Sequence, residues 1–155
     1  MTPSILGLDL ARSTGYAVMK DGAVVDVGII ELDLLGDYAN FIYLTNELDE
    51  LHTKYDFTEV GYEDAFRQLG RANELFQGWK WAVKVYFGAR DIPLHPITPS
   101  QLMKYVTGKG SGAKHEDYVS RANWKWGLNL EISEHDKAVA LFVAEYVREK
   151  RHCGN

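Results

Sequence analysis

The chain has almost no cysteine: of its 155 residues only Cys153, near the end, carries a thiol. An internal disulfide is therefore excluded, and a reducing cytoplasm is the expected setting. No apolar stretch approaches the ~18 residues of a membrane-spanning helix. The first residues do not join a basic segment to an apolar run and a cleavage site, so no signal peptide is expected. Histidine and cysteine are not spaced as zinc ligands. Internal repeats and linkers are missing too, which predicts one domain over residues 1–155. At 46% hydrophobic and 25% charged residues, that domain has an ordinary core and surface.

Charge is present but unevenly placed. Residues 1–66 hold 3 basic and 13 acidic side chains, residues 67–126 hold 10 and 4, and the remainder 4 and 5. An acidic first third beside a basic middle suits carboxylates at a cation site flanked by a surface for a polyanion. Merely solvated faces would give the same counts.

One stretch organises the rest: Ile5-Leu6-Gly7-Leu8-Asp9-Leu10, a small polar turn, then Thr14-Gly15-Tyr16-Ala17-Val18. Residues 4–11 read as a central strand buried on both faces. An aspartate inside it is costly unless it is paired or holds a metal. Residues 15–20 and 23–31 are the next strands, joined by the hairpin turn Asp21-Gly22. Phe41, Leu44, Leu48, Leu51 and Tyr55 then recur at helical spacing. Residues 59–66 make a fourth strand, parallel to the first, that carries Glu63 and Asp64. An aromatic-rich helix over 71–89 has a wider apolar stripe than one core needs, which fits either burial between layers or a dimer surface. A fifth strand (91–97), helices over 99–106 and 115–126, and a last helix from Ser133 to about residue 151 complete the chain.

Asp9, Glu63 and Asp136 are the carboxylates this arrangement can bring together. Oxygen donors without histidine–cysteine spacing suit Mg²⁺ or Mn²⁺. Two such ions about 4 Å apart can drive phosphodiester hydrolysis. Each residue also has a plainer explanation. Glu63 could be a strand-end charge, and Ser133-Glu134-His135-Asp136 has the spacing of a helix capping box. Glu134 and His135 are exposed helix-start residues that could reach a metal. The loop from Gly108 to His115 is glycine- and lysine-rich but lacks the residues that a phosphate-binding P-loop places around its lysine, here Ala113 and His115 instead. With Lys104, Lys109, Lys114, Arg121 and Lys125 nearby, it fits DNA-backbone contact better.

In this order the motifs resemble the RuvC family of Holliday-junction resolvases, and the likeness spans nearly the whole chain. The resemblance implies an RNase H-like α/β fold: a mixed five-stranded sheet with helices on both faces. Leu6-Gly7-Leu8-Asp9 with Thr14-Gly15-Tyr16 resembles the family's first strand, and Glu63-Asp64-Ala65-Phe66 its second acidic motif. Asp9 and Glu63 would then be metal ligands, and Phe66 the aromatic that wedges into bases at the junction. Thr98-Pro99-Ser100 and residues 106–114 match a further block whose final lysine, Lys114, is implicated in junction binding and catalysis. A second family lysine falls at Met103, beside Lys104. The family's last motif has two acids, or a histidine and an acid, three residues apart. Here Asp136 survives, Val139 or Ser133 replaces its companion, and Glu134 or His135 would fill the fourth place. The implied protein is a homodimeric endonuclease using Mg²⁺, or Mn²⁺ in its place, that makes paired nicks across a four-way junction. Its setting would be a bacterial cell or a phage-infected host, since small size and the divergent last motif look phage-like. A branched-DNA-binding module with a weakened site, or a related nuclease on other branched DNA or RNA, are the alternatives.

Overall fold

The near-continuous apolar run of the first strand is explained by burial on both of its faces. The computed structural model of the protein describes residues 2–33, 36–65 and 70–153. Strands β1 (Ser4–Asp9), β2 (Ser13–Lys20) and β3 (Ala23–Glu31) form an antiparallel meander. Strands β4 (Glu59–Glu63) and β5 (Leu94–Ile97) extend it in parallel, giving the order β3-β2-β1-β4-β5 with β1 in the middle. At the β2–β3 hairpin Asp21 and Gly22 both have positive φ, 52° and 80°, the geometry whose twist matches that of the flanking strands.

Strand alternation assigns residues to two layers. Leu6, Leu8, Val18, Val60 and Tyr62 point to one side. There they meet Leu44 and Leu48 of α1 (Asp37–Tyr55) and Phe76, Trp79 and Val83 of α2 (Arg71–Gly88). Ile5, Ala17, Met19 and Ile97 point to the other. That side is covered by α3 (Pro99–Thr107), α4 (His115–Trp126) and α5 (His135–His152).

Helix α5 lies deepest. Residues 138–144 are all buried, because the sheet packs beneath the helix while α3 and α4 pack above it. A helix apolar all round belongs in such a place. Fully burying each of Leu141, Phe142 and Val143 stabilises the fold by about 1.5–3 kcal/mol. The helix approaches β1 closely over Gly7, where an added Cβ would lie 2.6 Å from the Ala144 backbone nitrogen, so a residue without Cβ is required.

Two boundaries differ from the sequence reading in ways that matter. The last helix does not start at Ser133: a short 3-10 turn (Ile132–Glu134) comes first, and α5 begins at His135. The Glu134 carboxylate closes that turn, accepting from the Glu131 N–H at 2.9 Å and from Lys137 Nζ at 2.6 Å. Ser133 therefore does not cap α5, and the capping-box explanation of Asp136 fails. Strand β4 ends at Glu63, and Phe66 lies outside the described residues.

Candidate active site

Parallel neighbours bring the first two carboxylates to one end of the sheet. Leu8 of β1 is in register with Tyr62 of β4, so Asp9 and Glu63 follow in step. By alternation both share the face of Gly7 and Gly61, the α5 side. Asp64, the next residue, is turned the other way and ion-pairs with Lys80 of α2 at 2.9 Å. The two adjacent acids are thus separated, and only Glu63 serves the α5 side.

The third carboxylate arrives through a glycine. Gly15 of β2 pairs directly with Asp9. A Cβ on Gly15 would sit more than 1 Å inside the 3.4 Å at which ordinary contact with the Asp136 carbonyl oxygen begins. The first turn of α5 therefore rests on the strand pair at the level of Asp9. Thr14, fully buried, fixes the turn in between: its hydroxyl donates to Ala11 O at 2.6 Å and accepts from the Ala11 N–H at 3.2 Å.

Asp9, Glu63 and Asp136 line one cleft of about 370 Å³, walled by Pro99 and Met103 of α3, His115 and Tyr118 of α4, and His135 and Val139 of α5. Among the described residues, no lysine or arginine lines it. Tyr118 reports the resulting field. Its phenol is pushed up to about 12, first by burial and then by the negative charges of Glu63, Asp9 and Asp117. The hydroxyl consequently stays protonated at neutral pH. His135 stacks face to face on His115, with ring centroids 3.6 Å apart, and its Nε2 lies 3.3 Å from Asp136 Oδ1.

Of the other residues singled out from the sequence, His135 is in the cleft and Glu134 is not, its oxygens being taken by Glu131 and Lys137. Val139 presents an aliphatic chain one turn beyond Asp136, where the resemblance implies a second acid. Lys114 stands exposed as the residue preceding α4, between the lining residues Ala113 and His115. Lys104, Lys109 and Arg121 are exposed but do not line the cleft. Tyr118 and His115 went unnoticed in the sequence. Tyr118 reads there as one more member of the buried stripe Tyr118, Val119 and Ala122, and nothing in the spacing distinguishes it.

Three carboxylates and two imidazoles, with no cationic side chain among the described residues of the cleft, suit a hard divalent cation. Among the described residues, no three His, Cys, Asp or Glu side chains are close enough together to form a ready metal centre. The acids share a cleft rather than a preformed cage.

No protein-family model matches the chain, and no curated protein does. Solved structures do. Thermus thermophilus RuvC superposes with a TM-score of 0.75 at 19% identity, covering 95% of this chain and 96% of that one. T. thermophilus RuvC in complex with a Holliday junction substrate gives a TM-score of 0.78 at 18% identity, with 96% of each chain covered. The yeast mitochondrial Holliday junction resolvase Ydc2 gives 0.54 at 17% identity, over 92% of this chain and 76% of its own. These likenesses establish the fold: a RuvC-type, RNase H-like mixed five-stranded sheet with helices on both faces.

Proposed function

We propose that the chain is a divalent-cation-dependent endonuclease that cuts four-way DNA junctions by paired nicks. The observation that carries this reading is the convergence of Asp9, Glu63 and Asp136 on one cleft of a RuvC-type fold. A solved neighbour with that fold is bound to a Holliday junction substrate, which supports branched DNA as the ligand.

Asp9, Glu63 and Asp136 would hold Mg²⁺ or Mn²⁺, with His135 filling the fourth place better than Glu134. Such a cation lowers the pKa of a water and offsets charge on a phosphate. The chain's own residues do the rest. Met103, Val139 and the Tyr118 ring narrow the cleft and limit bulk water. Stacking on His115 fixes the His135 ring beside the Asp136 carboxylate. Lys114, at the rim, meets the phosphate charge as the water oxygen bonds to phosphorus and the leaving sugar oxygen departs. Lys104, Lys109 and Arg121 lie on the exposed basic surface that would carry the flanking backbone.

Paired nicks need two such sites. Trp81 and Val85 are exposed on α2, and Tyr38 and Ile42 on α1, which supports a homodimer built on this pair of helices. Sedimentation or mass photometry at micromolar concentration should give the mass of two chains.

Asp9→Asn and Glu63→Gln should abolish Mg²⁺-dependent cleavage of a synthetic four-way junction while leaving its binding largely intact. Equal cleavage by wild type and both variants would refute the mechanism. The aliphatic Val139 favours a second reading, a junction-binding module with a weakened site. Tight junction binding by wild type without any cleavage in Mg²⁺ or Mn²⁺ would select it.

A further inference from the structure

A second cleft, of about 310 Å³, adjoins the carboxylate cleft and is a different kind of space. The two share Ala11, His135 and Asp136 as a dividing ridge. Beyond the ridge the walls are Ala72, Leu75 and Trp79 of α2, and the mouth is formed by Arg12 of the β1–β2 turn and Ser13 at the start of β2. The floor is thus apolar and partly aromatic, while the rim is polar. Trp79 is only 5% exposed, and its indole Nε1 is buried with no hydrogen-bond partner among the described residues. A buried donor left without an acceptor is unfavourable, and an acceptor entering through the cleft would satisfy it.

We propose that this cleft receives one nucleobase, unstacked from the strand beside the phosphate at Asp9, Glu63 and Asp136, and that it thereby sets which sequences are cut. The inference rests on the nuclease reading above. A strand whose phosphate lies over the three carboxylates can pass its neighbouring nucleotide across the Ala11–Asp136 ridge, because the two clefts adjoin there. A base is a flat heterocycle with apolar faces and acceptors along its edge. The faces fit against Leu75, Ala72 and the indole, and an edge carbonyl or ring nitrogen fits the free N–H. The volume lies at the low end for small-ligand sites, enough for one base and not for a base pair. Arg12, held by Asp33 at 2.8 Å, stands at the mouth where the following phosphate would run. Unstacking costs least where pairing is already interrupted, as it is at a branch point.

The test uses junctions carrying each of the four bases, or an abasic site, at the nucleotides on either side of the incision. Incision rates are compared for wild type, Trp79→Phe and Ala72→Trp. The first variant keeps a ring and removes the donor; the second fills the cleft from an exposed position at the start of α2. Wild type should show a preference of about tenfold or more at one of these positions, with the abasic junction among the slow substrates. Trp79→Phe should shrink that preference to about threefold, and Ala72→Trp should remove it while Mg²⁺-dependent incision persists. Should Trp79→Phe fail to fold, Ala72→Trp alone decides. Incision by wild type at equal rates on all bases and on the abasic junction overturns the inference and leaves the nuclease reading standing. So does an unchanged preference in Ala72→Trp. A wild type that incises no junction removes both.

Discussion

Gly15→Ala adds one methyl group at the contact that seats Asp136 beside Asp9, and its effect follows from the geometry. The new Cβ would fall more than 1 Å inside ordinary contact with the Asp136 carbonyl oxygen, and 3.0 Å from the Lys137 backbone nitrogen. Both are main-chain atoms, so no rotamer change relieves the clash. Strand β2 has little room to retreat, since Gly15 is in register with Asp9 on one side and Ile29 on the other. The first turn of α5 must therefore lift by about 1 Å. Overpacking of this kind costs about 1–3 kcal/mol. Misplacing a reacting group by about 1 Å can lower the rate about 100-fold, well beyond what that stability loss does to a protein still folded at the assay temperature.

Two measurements separate these effects: urea unfolding for stability, and single-turnover cleavage of a four-way junction at saturating Mg²⁺. Gly88→Ala is the control. It sits in the last turn of α2 with nothing within 4 Å of the added carbon. It should gain about 0.5–1 kcal/mol from the lost backbone freedom and leave cleavage unchanged. Gly15→Ala cleaving within about threefold of wild type would show that α5 does not position a catalytic carboxylate through this contact.

Asp136→Asn separates catalysis from capping: with Ser133 outside α5, it should lose only the first-turn charge term of about 0.3–1 kcal/mol while junction cleavage disappears. A large drop in unfolding free energy with cleavage retained would restore the capping role. Glu145→Gln should cost about 1–3 kcal/mol in urea unfolding, because its buried carboxylate accepts from Arg148 at 2.9 and 2.5 Å and sits 3.4 Å from Lys125 Nζ. Burial acts to raise the Glu145 pKa, but the hydrogen bonds and charges of Arg148 and Lys125 outweigh it, so the carboxyl stays below its usual value. Its stabilisation is then full above the unfolded-state pKa of about 4.3 and is lost as pH falls through the lower folded value. The variant should lack that acid-side loss, and an identical pH profile in wild type and Glu145→Gln would contradict the assignment. Junction affinity should fall steeply with salt if Lys104, Lys109, Lys114 and Arg121 meet phosphates; a flat response between about 50 and 200 mM salt would exclude them.

The sheet was legible in the sequence because its signals are local. Burial of β1 on both faces needs apolar residues at every position, so Asp9 stood out as the one charge in an apolar run. The hairpin at Asp21-Gly22 needs two positive φ values, and those residues tolerate them. Glu63 was harder, for Glu63 and Asp64 are equivalent until Lys80 of α2 claims one of them from across the sheet. Asp136 was ambiguous for a similar reason. The Ser133–Asp136 spacing satisfies a capping box, and only the 3-10 turn closed by Glu134 and Lys137 moves the helix start past the serine. Tyr118 was invisible, being apolar enough to count as core and placed where core belongs.

What the sequence hid most completely was the part played by absent side chains. Gly7 and Gly15 look like weak strand residues, each lowering the propensity of its strand. In the fold they share one face of the sheet with Ala17, and α5 lies directly over them. The helix can descend there only because no Cβ stands in its way, and the descent brings its first turn, with Asp136, level with Asp9. A carboxylate on a helix that starts 120 residues after Gly15 is thereby placed by a hydrogen atom on β2. Acidic side chains announce themselves by residue type, but the small residues that set their spacing do so only once the packing partner is known.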